Sequence, residues 1–181
     1  MKNISIKEFK PTIFFLVKFI GIYLVANLLY GLYVTAYSPK PDPMTSWVSY
    51  HTAIALRGCG WPTIAQDTET KPTTELIFEE KRVLAIYEGC NGLNVMIIFV
   101  AFLIAFGPIS RTLWWFIPLG LLILHGVNLA RIALLFWVSL YLADYMYFIH
   151  KYFFTAILYV VVFLLWIAWV KKFSTLKLLK S

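Results

Sequence analysis

Ile132-Ala133-Leu134-Leu135-Phe136-Trp137-Val138-Ser139-Leu140-Tyr141-Leu142-Ala143-Asp144-Tyr145-Met146-Tyr147-Phe148-Ile149 is apolar enough to be a membrane span of its own, and whether it crosses or turns back decides the fold. If it crosses, the chain has five spans, Arg131 and His150 face opposite sides of the bilayer, and the four C-terminal lysines are exported. If it extends the preceding helix and turns back near Asp144, there are four spans. The charges then sort cleanly. Lys2, Lys7, Lys10, Lys18, Arg111, Lys171, Lys172, Lys177 and Lys180 fall on one side, with Glu8 as the only acid among them. Basic residues at span ends mark the cytoplasmic side, so the sequence predicts four spans with both termini inside.

Composition supports the membrane class. With 61% hydrophobic and 18% aromatic residues and a mean hydropathy of +0.76, the chain is too apolar for a soluble domain of 181 residues. The net charge of +7 raises the question of nucleic acid, but the basic residues flank apolar runs near the chain ends, which excludes a nucleic-acid partner in favour of the lipid bilayer. The expected architecture is a single all-α integral membrane domain over residues 1–181, with spans at about 11–37, 90–107, 112–142 and 152–170. Residues 38–89 form an external loop, because Pro39-Lys40-Pro41-Asp42-Pro43 and Asp67-Thr68-Glu69-Thr70-Lys71-Pro72 carry turn chemistry that no bilayer core accepts. Within the loop, Met44 to Leu56 reads as a short interfacial helix and Glu75 to Tyr87 as a strand pair or extended segment. The N-terminal apolar stretch runs long, and Val34-Thr35-Ala36-Tyr37-Ser38 is a poor cleavage site, so it reads as a retained anchor.

Helical rise places three reactive groups at one depth. The 17 residue steps from Cys90 to Gly107 cover about 26 Å, close to the hydrocarbon thickness, so Cys90 sits at the outer mouth of the second span. The 19 steps from Thr112 to Arg131 climb about 29 Å back to that level, and the 20 steps from His150 to Val170 descend a similar distance. A charge inside a membrane segment is costly and is read first as functional.

Each group has a chemistry and a plainer alternative. Cys90, in Tyr87-Glu88-Gly89-Cys90-Asn91-Gly92-Leu93, stands at a helix N-terminus near a cation, a setting expected to depress a thiol pKa and favour the nucleophilic thiolate; the alternative is a small buried cysteine. Arg131 stabilises a thiolate or oxyanion, or bonds helix carbonyls and lipid phosphate. Asn128, one turn earlier, orients Arg131 or binds substrate. His150 is the expected general acid and base, with an interfacial histidine as alternative and His125 as competitor. Glu88 caps the helix or meets Arg82. His51 and Cys59 are assigned to structure, and the two cysteines form no metal-binding spacing, so neither metal nor cofactor is expected.

In this order, Cys90-Asn91-Gly92, Asn128-Leu129-Ala130-Arg131 and His150 resemble the exosortase and archaeosortase family of membrane-embedded sorting transpeptidases, most closely exosortase F of the Bacteroidetes type. Many members carry Ser where this chain has Asn91. The resemblance covers roughly Tyr87 to Val170. It implies a cysteine peptidase and transpeptidase of the bacterial inner membrane, with its site on the extracytoplasmic side. Cys90 would form an acyl thioester, Arg131 would stabilise negative charge and His150 would act as general acid and base. Asn128, Asn91 and Gly92 would contact substrate. The implied partners are secreted proteins bearing a C-terminal sorting signal of short motif, transmembrane helix and basic cluster, with room for a small membrane partner protein. Two rival readings are a membrane thiol redox enzyme using Cys59 with Cys90, and a non-enzymatic assembly subunit.

Overall fold

The computed structural model describes residues 6–107 and 110–178; Lys2, Pro108, Ile109 and Lys180, which bear on the charge and turn arguments, lie outside the described residues. The chain opens with helix α1 (Ile6–Tyr37), then α2 (Pro43–Gly58). Strands β1 (Ile64–Asp67), β2 (Thr73–Phe78) and β3 (Lys81–Tyr87) follow, and a 3-10 turn at Glu88–Cys90 leads into α3 (Leu93–Phe106). The remaining elements are α4 (Arg111–Tyr141), a 3-10 turn at Ala143–Tyr145, α5 (Met146–Phe148), a π-helical turn at Ile149–Phe153, and α6 (Phe154–Leu178).

Three helical stretches, Phe9–Tyr37, Arg111–Tyr141 and Ala143–Lys172, are long and apolar enough to cross a membrane, and α3 is a shorter apolar helix. Their outer faces expose large apolar side chains, among them Val17, Leu28, Trp115, Leu122 and Phe163. Such a contiguous apolar exterior is tolerable in lipid and not in water. The stretch that opened the sequence question divides at Leu142. Residues up to Tyr141 extend α4, and the chain then turns back so that α6 packs on α4. The sequence placed the next helix at Tyr152, but helical structure resumes at Ala143, and the π turn absorbs an extra residue where the two helical segments join.

The segment between α1 and α3 is not irregular. Asp42 ends the loop by capping α2, its Oδ1 accepting from Met44 N–H at 3.0 Å and Thr45 N–H at 3.1 Å, with Pro43 in the first turn where its missing donor costs nothing. The sheet is antiparallel in the order β1-β2-β3, so β3 is an edge. Glu79 and Glu80, at φ 49° and 61°, close the β2–β3 hairpin in the left-handed geometry that suits strand twist. The protein is mostly helical, in keeping with the expected all-α membrane class, and carries one small sheet besides. Of the two alternatives for Glu75 to Tyr87 the strand pair forms, as β2 and β3 find a buried face on α2.

Two cores result. The outer one joins Val48, Leu56, Leu76 and Ile86 to Ile132, Phe136 and Cys90, fastening the cap onto the outer part of α4. The inner one gathers Phe99, Leu103, Leu113, Leu124, Val162 and Trp169 among α3, α4 and α6. Gly120 permits the α3–α4 approach, since a Cβ there would stand 2.2 Å from the fully buried Phe99 ring. Gly120→Ala is expected to cost about 1–3 kcal/mol through overpacking, read as a lowered Tm in detergent.

Candidate active site

The loop carrying Cys90 is pinned from three directions. Asn91, fully buried, donates from Nδ2 to the Tyr30 hydroxyl at 3.1 Å and to Thr45 Oγ1 at 3.2 Å, while its Oδ1 accepts the Leu93 N–H at 2.9 Å. Tyr30 in turn donates to the Glu88 carbonyl at 3.1 Å. Asn128 of α4 donates to the Cys90 carbonyl at 3.0 Å. Gly92 is required in this turn: its φ is +83°, and a Cβ would meet Asn128 Cγ at 3.1 Å. Asn91, Gly92 and Asn128 are thus directed into the protein, where they hold the Cys90 loop. Their expected contact with substrate gives way to a positioning role, because both Asn side chains are buried and already bonded.

On the other side of the turn, the Cys90 sulfur lies 3.3 Å from His150 Nε2. Arg131 Nη2 lies 3.4 Å from the same nitrogen, and its Nη1 donates to Asn128 Oδ1 at 3.5 Å. Cys90, Arg131 and His150 therefore converge in contact. A guanidinium has donors and no acceptors, so Nε2 presents its lone pair and the ring proton sits on Nδ1. Arg131 and the thiol share that one lone pair, which can take the thiol proton as the guanidinium turns to another acceptor. His150 is carried by the π turn, a local widening that often marks functional sites in helices.

Arg131 is 7% exposed, and its Nε has no hydrogen-bond partner. Among the described residues no carboxylate pairs with it: the two ion pairs are Lys40 with Glu69, and Arg82 with Glu75 at 3.0 Å. The expected meeting of Glu88 with Arg82 is accordingly replaced by the cross-strand pair with Glu75. A buried cation without a counter-charge is costly unless negative charge arrives during function.

Tyr87 was not singled out by sequence reasoning. It is a neighbour that favours the Cys90 thiolate, and its ring folds over Gly89, where an added Cβ would clash with it. The available signal was a tyrosine three residues before the cysteine with a glycine between them. The site borders a cavity of about 180 Å³ lined by Leu84, Ile86, Tyr87, Cys90, Ile132 and His150, among others.

The thiol does not behave as its position in the sequence implies. Burial pushes the Cys90 pKa up, and Arg131 together with the Tyr87 donors only partly opposes this. The expected depressed thiol is thereby corrected: Cys90 is 4% exposed, and removal of water outweighs the nearby cation. At rest the side chain is therefore a thiol. Alkylation of Cys90 by iodoacetamide in a Cys59→Ser background is expected to keep rising above pH 8.5, about the pKa of an ordinary cysteine. Tyr87→Phe removes a donor that favours the thiolate and should move that rise to higher pH.

The other candidates are separate from this cluster. His125 Nε2 lies 3.4 Å from His51 Nδ1, and Trp47 stacks on the His125 ring at 4.5 Å, fastening α2 to α4. Cys59 is exposed and Cys90 buried, both as free thiols. Among the described residues no group of His, Cys, Asp or Glu could hold a metal ion. No family model matches the chain, and neither a curated protein nor a solved structure matches it.

Proposed function

We propose that this chain is a membrane-embedded cysteine transpeptidase of exosortase type, which cuts a C-terminal sorting signal of secreted proteins at the outer face of a bacterial inner membrane. The observation that carries the reading is the convergence of the Cys90 sulfur, at 3.3 Å, and Arg131 Nη2, at 3.4 Å, on one nitrogen of His150. Three separate parts of the chain supply these groups. A structural role alone would not account for a buried, uncompensated arginine beside a thiol and its base.

In this reading the chain crosses four times, through α1, α3, α4 and the helical course from Ala143 to α6, with both termini inside. At 31 residues α4 is about 46 Å long, so it exceeds a bilayer core of about 30 Å and can deliver Arg131 to the outer boundary. The 14 residues of α3 cover about 21 Å, which draws Cys90 down to that same boundary. A peptide bond just outside a substrate's transmembrane helix lies at this level.

His150 Nε2 accepts the thiol proton as the Cys90 sulfur attacks the scissile carbonyl carbon. A C–S bond forms and the carbonyl electrons move onto oxygen, where the Arg131 guanidinium offsets the charge. The tetrahedral species collapses: the C–N bond breaks, the imidazolium returns its proton to the departing amine, and an acyl thioester remains on Cys90. An amine, hydroxyl or water nucleophile then attacks the thioester, giving its proton to His150, and the thiol is restored with the acyl group transferred. Substrate binding excludes water from an already buried pair, so proton transfer is concerted with attack and requires no standing thiolate.

The reading is tested by co-expressing the protein with a tagged secreted protein that ends in a transmembrane helix and basic cluster. Loss of the C-terminal tag, together with a hydroxylamine-releasable acyl adduct mapped to Cys90, is the expected result. Cleavage with no thioester at Cys90 would refute it.

A further inference from the structure

β3 is the edge of the sheet, and it runs directly into the turn that carries Cys90. Backbone groups along a strand point alternately to its two sides. At Val83 the carbonyl accepts the Ser139 hydroxyl of α4 at 2.7 Å, so that position faces away from β2. Tyr87, the last residue of β3, takes the same orientation in the regular register from Leu84 onward, and the turn that holds Cys90 begins at the next residue. Ala85, between them in the same alternation, directs its N–H and carbonyl to the free edge.

Three facts distinguish this short edge from an ordinary exposed strand. It is stopped at one end by Ser139 and at the other by the nucleophile. Its open position holds alanine, the smallest side chain in β3, and that residue is exposed. The adjoining cavity of about 180 Å³ is lined by Leu84, Ile86, Ile132, Leu135 and Met146, so it is apolar and sized for one aliphatic or aromatic side chain.

We infer that β3 receives the substrate as a short added strand: an extended peptide pairs its backbone with Ala85, sets an apolar side chain in the cavity, and thereby brings its scissile carbonyl to Cys90. Main-chain pairing supplies affinity and register, and the cavity supplies selectivity. The inference rests on the cysteine-nucleophile reading for the last of these effects and on strand geometry for the first two.

The test uses full-length Cys59→Ser protein in detergent, so that Cys90 is the sole thiol. Two reagents share one warhead: acetyl-leucyl chloromethyl ketone, and an acetyl-tetrapeptidyl chloromethyl ketone ending in leucine. In each case the sulfur displaces chloride, a C–S bond forms and the thiol proton leaves to solvent. The longer reagent is expected to alkylate Cys90 at least about tenfold faster, the scale of two added hydrogen bonds. N-methylation of its amides one at a time should cancel that gain at a single position. Ala85→Pro, which removes the edge N–H and leaves the pairing with β2 intact, should cancel it too, with the rate of the short reagent unchanged. Equal rates for the two reagents, or indifference to N-methylation at every position, would overturn the inference while leaving the nucleophile standing. Failure of both reagents to label Cys90 would instead remove the cysteine reading itself. If Ala85→Pro also slows the short reagent, the variant is misfolded and the N-methyl series decides.

Discussion

Cys90→Ala is expected to abolish processing of a co-expressed substrate, a loss of at least about 10⁴-fold, because the acyl acceptor of the first step is gone and no other thiol is placed to replace it. The second cysteine, Cys59, is exposed at the end of α2 and stands outside the cluster. The substitution removes one buried atom from the outer core and should cost about 1 kcal/mol, so the variant still folds. Intact substrate should therefore accumulate beside a protein of near-normal Tm. Retained processing by Cys90→Ala would eliminate the transpeptidase reading and favour an assembly role. Processing lost in Cys59→Ser as well would direct attention to thiol exchange instead.

His150→Ala is expected to slow cleavage by about 10²–10⁴-fold, the range for a positioned general acid and base. The effect should lie at the upper end of that range because the same imidazole has two tasks: it must deprotonate a thiol that burial holds neutral, and then protonate a poor amine leaving group. Added imidazole should restore part of the activity, since the truncated side chain leaves space continuous with the cavity beside Cys90. A merely structural histidine would give no such rescue. A variant that keeps more than about one tenth of wild-type activity would remove His150 from the mechanism, given the magnitude that acid and base catalysis carries.

Much of the frame was legible in the chain because lipid imposes simple rules. Long apolar runs and helical rise singled out Cys90, Arg131 and His150 together, and the mixed polar and apolar pattern from Met44 to Leu56 anticipated α2, though not its cap at Asp42. What was not legible depends on contacts between distant segments. Nothing local in Asn91 or Asn128 says that each would be buried and spent on holding the Cys90 loop, because their partners lie on α1, α2 and β3's end. The sheet was ambiguous for the same reason: Thr73 to Tyr87 alternates weakly, and only burial against α2 makes pairing favourable. The direction of the thiol shift was misjudged because a helix start and a cation are visible in sequence whereas water exclusion is not.

The π turn at Ile149–Phe153 bears on which changes of length the chain can accept. A π turn is an α-helix with one residue too many, held in place by surrounding contacts. Deleting any one residue there would restore regular winding and rotate everything before it by about 100° relative to α6. His150 would turn off the Cys90 side without any change in its identity. Related chains can therefore differ at the side chains of this turn other than His150, yet should keep its residue count fixed, and a length change would be as damaging as loss of the histidine.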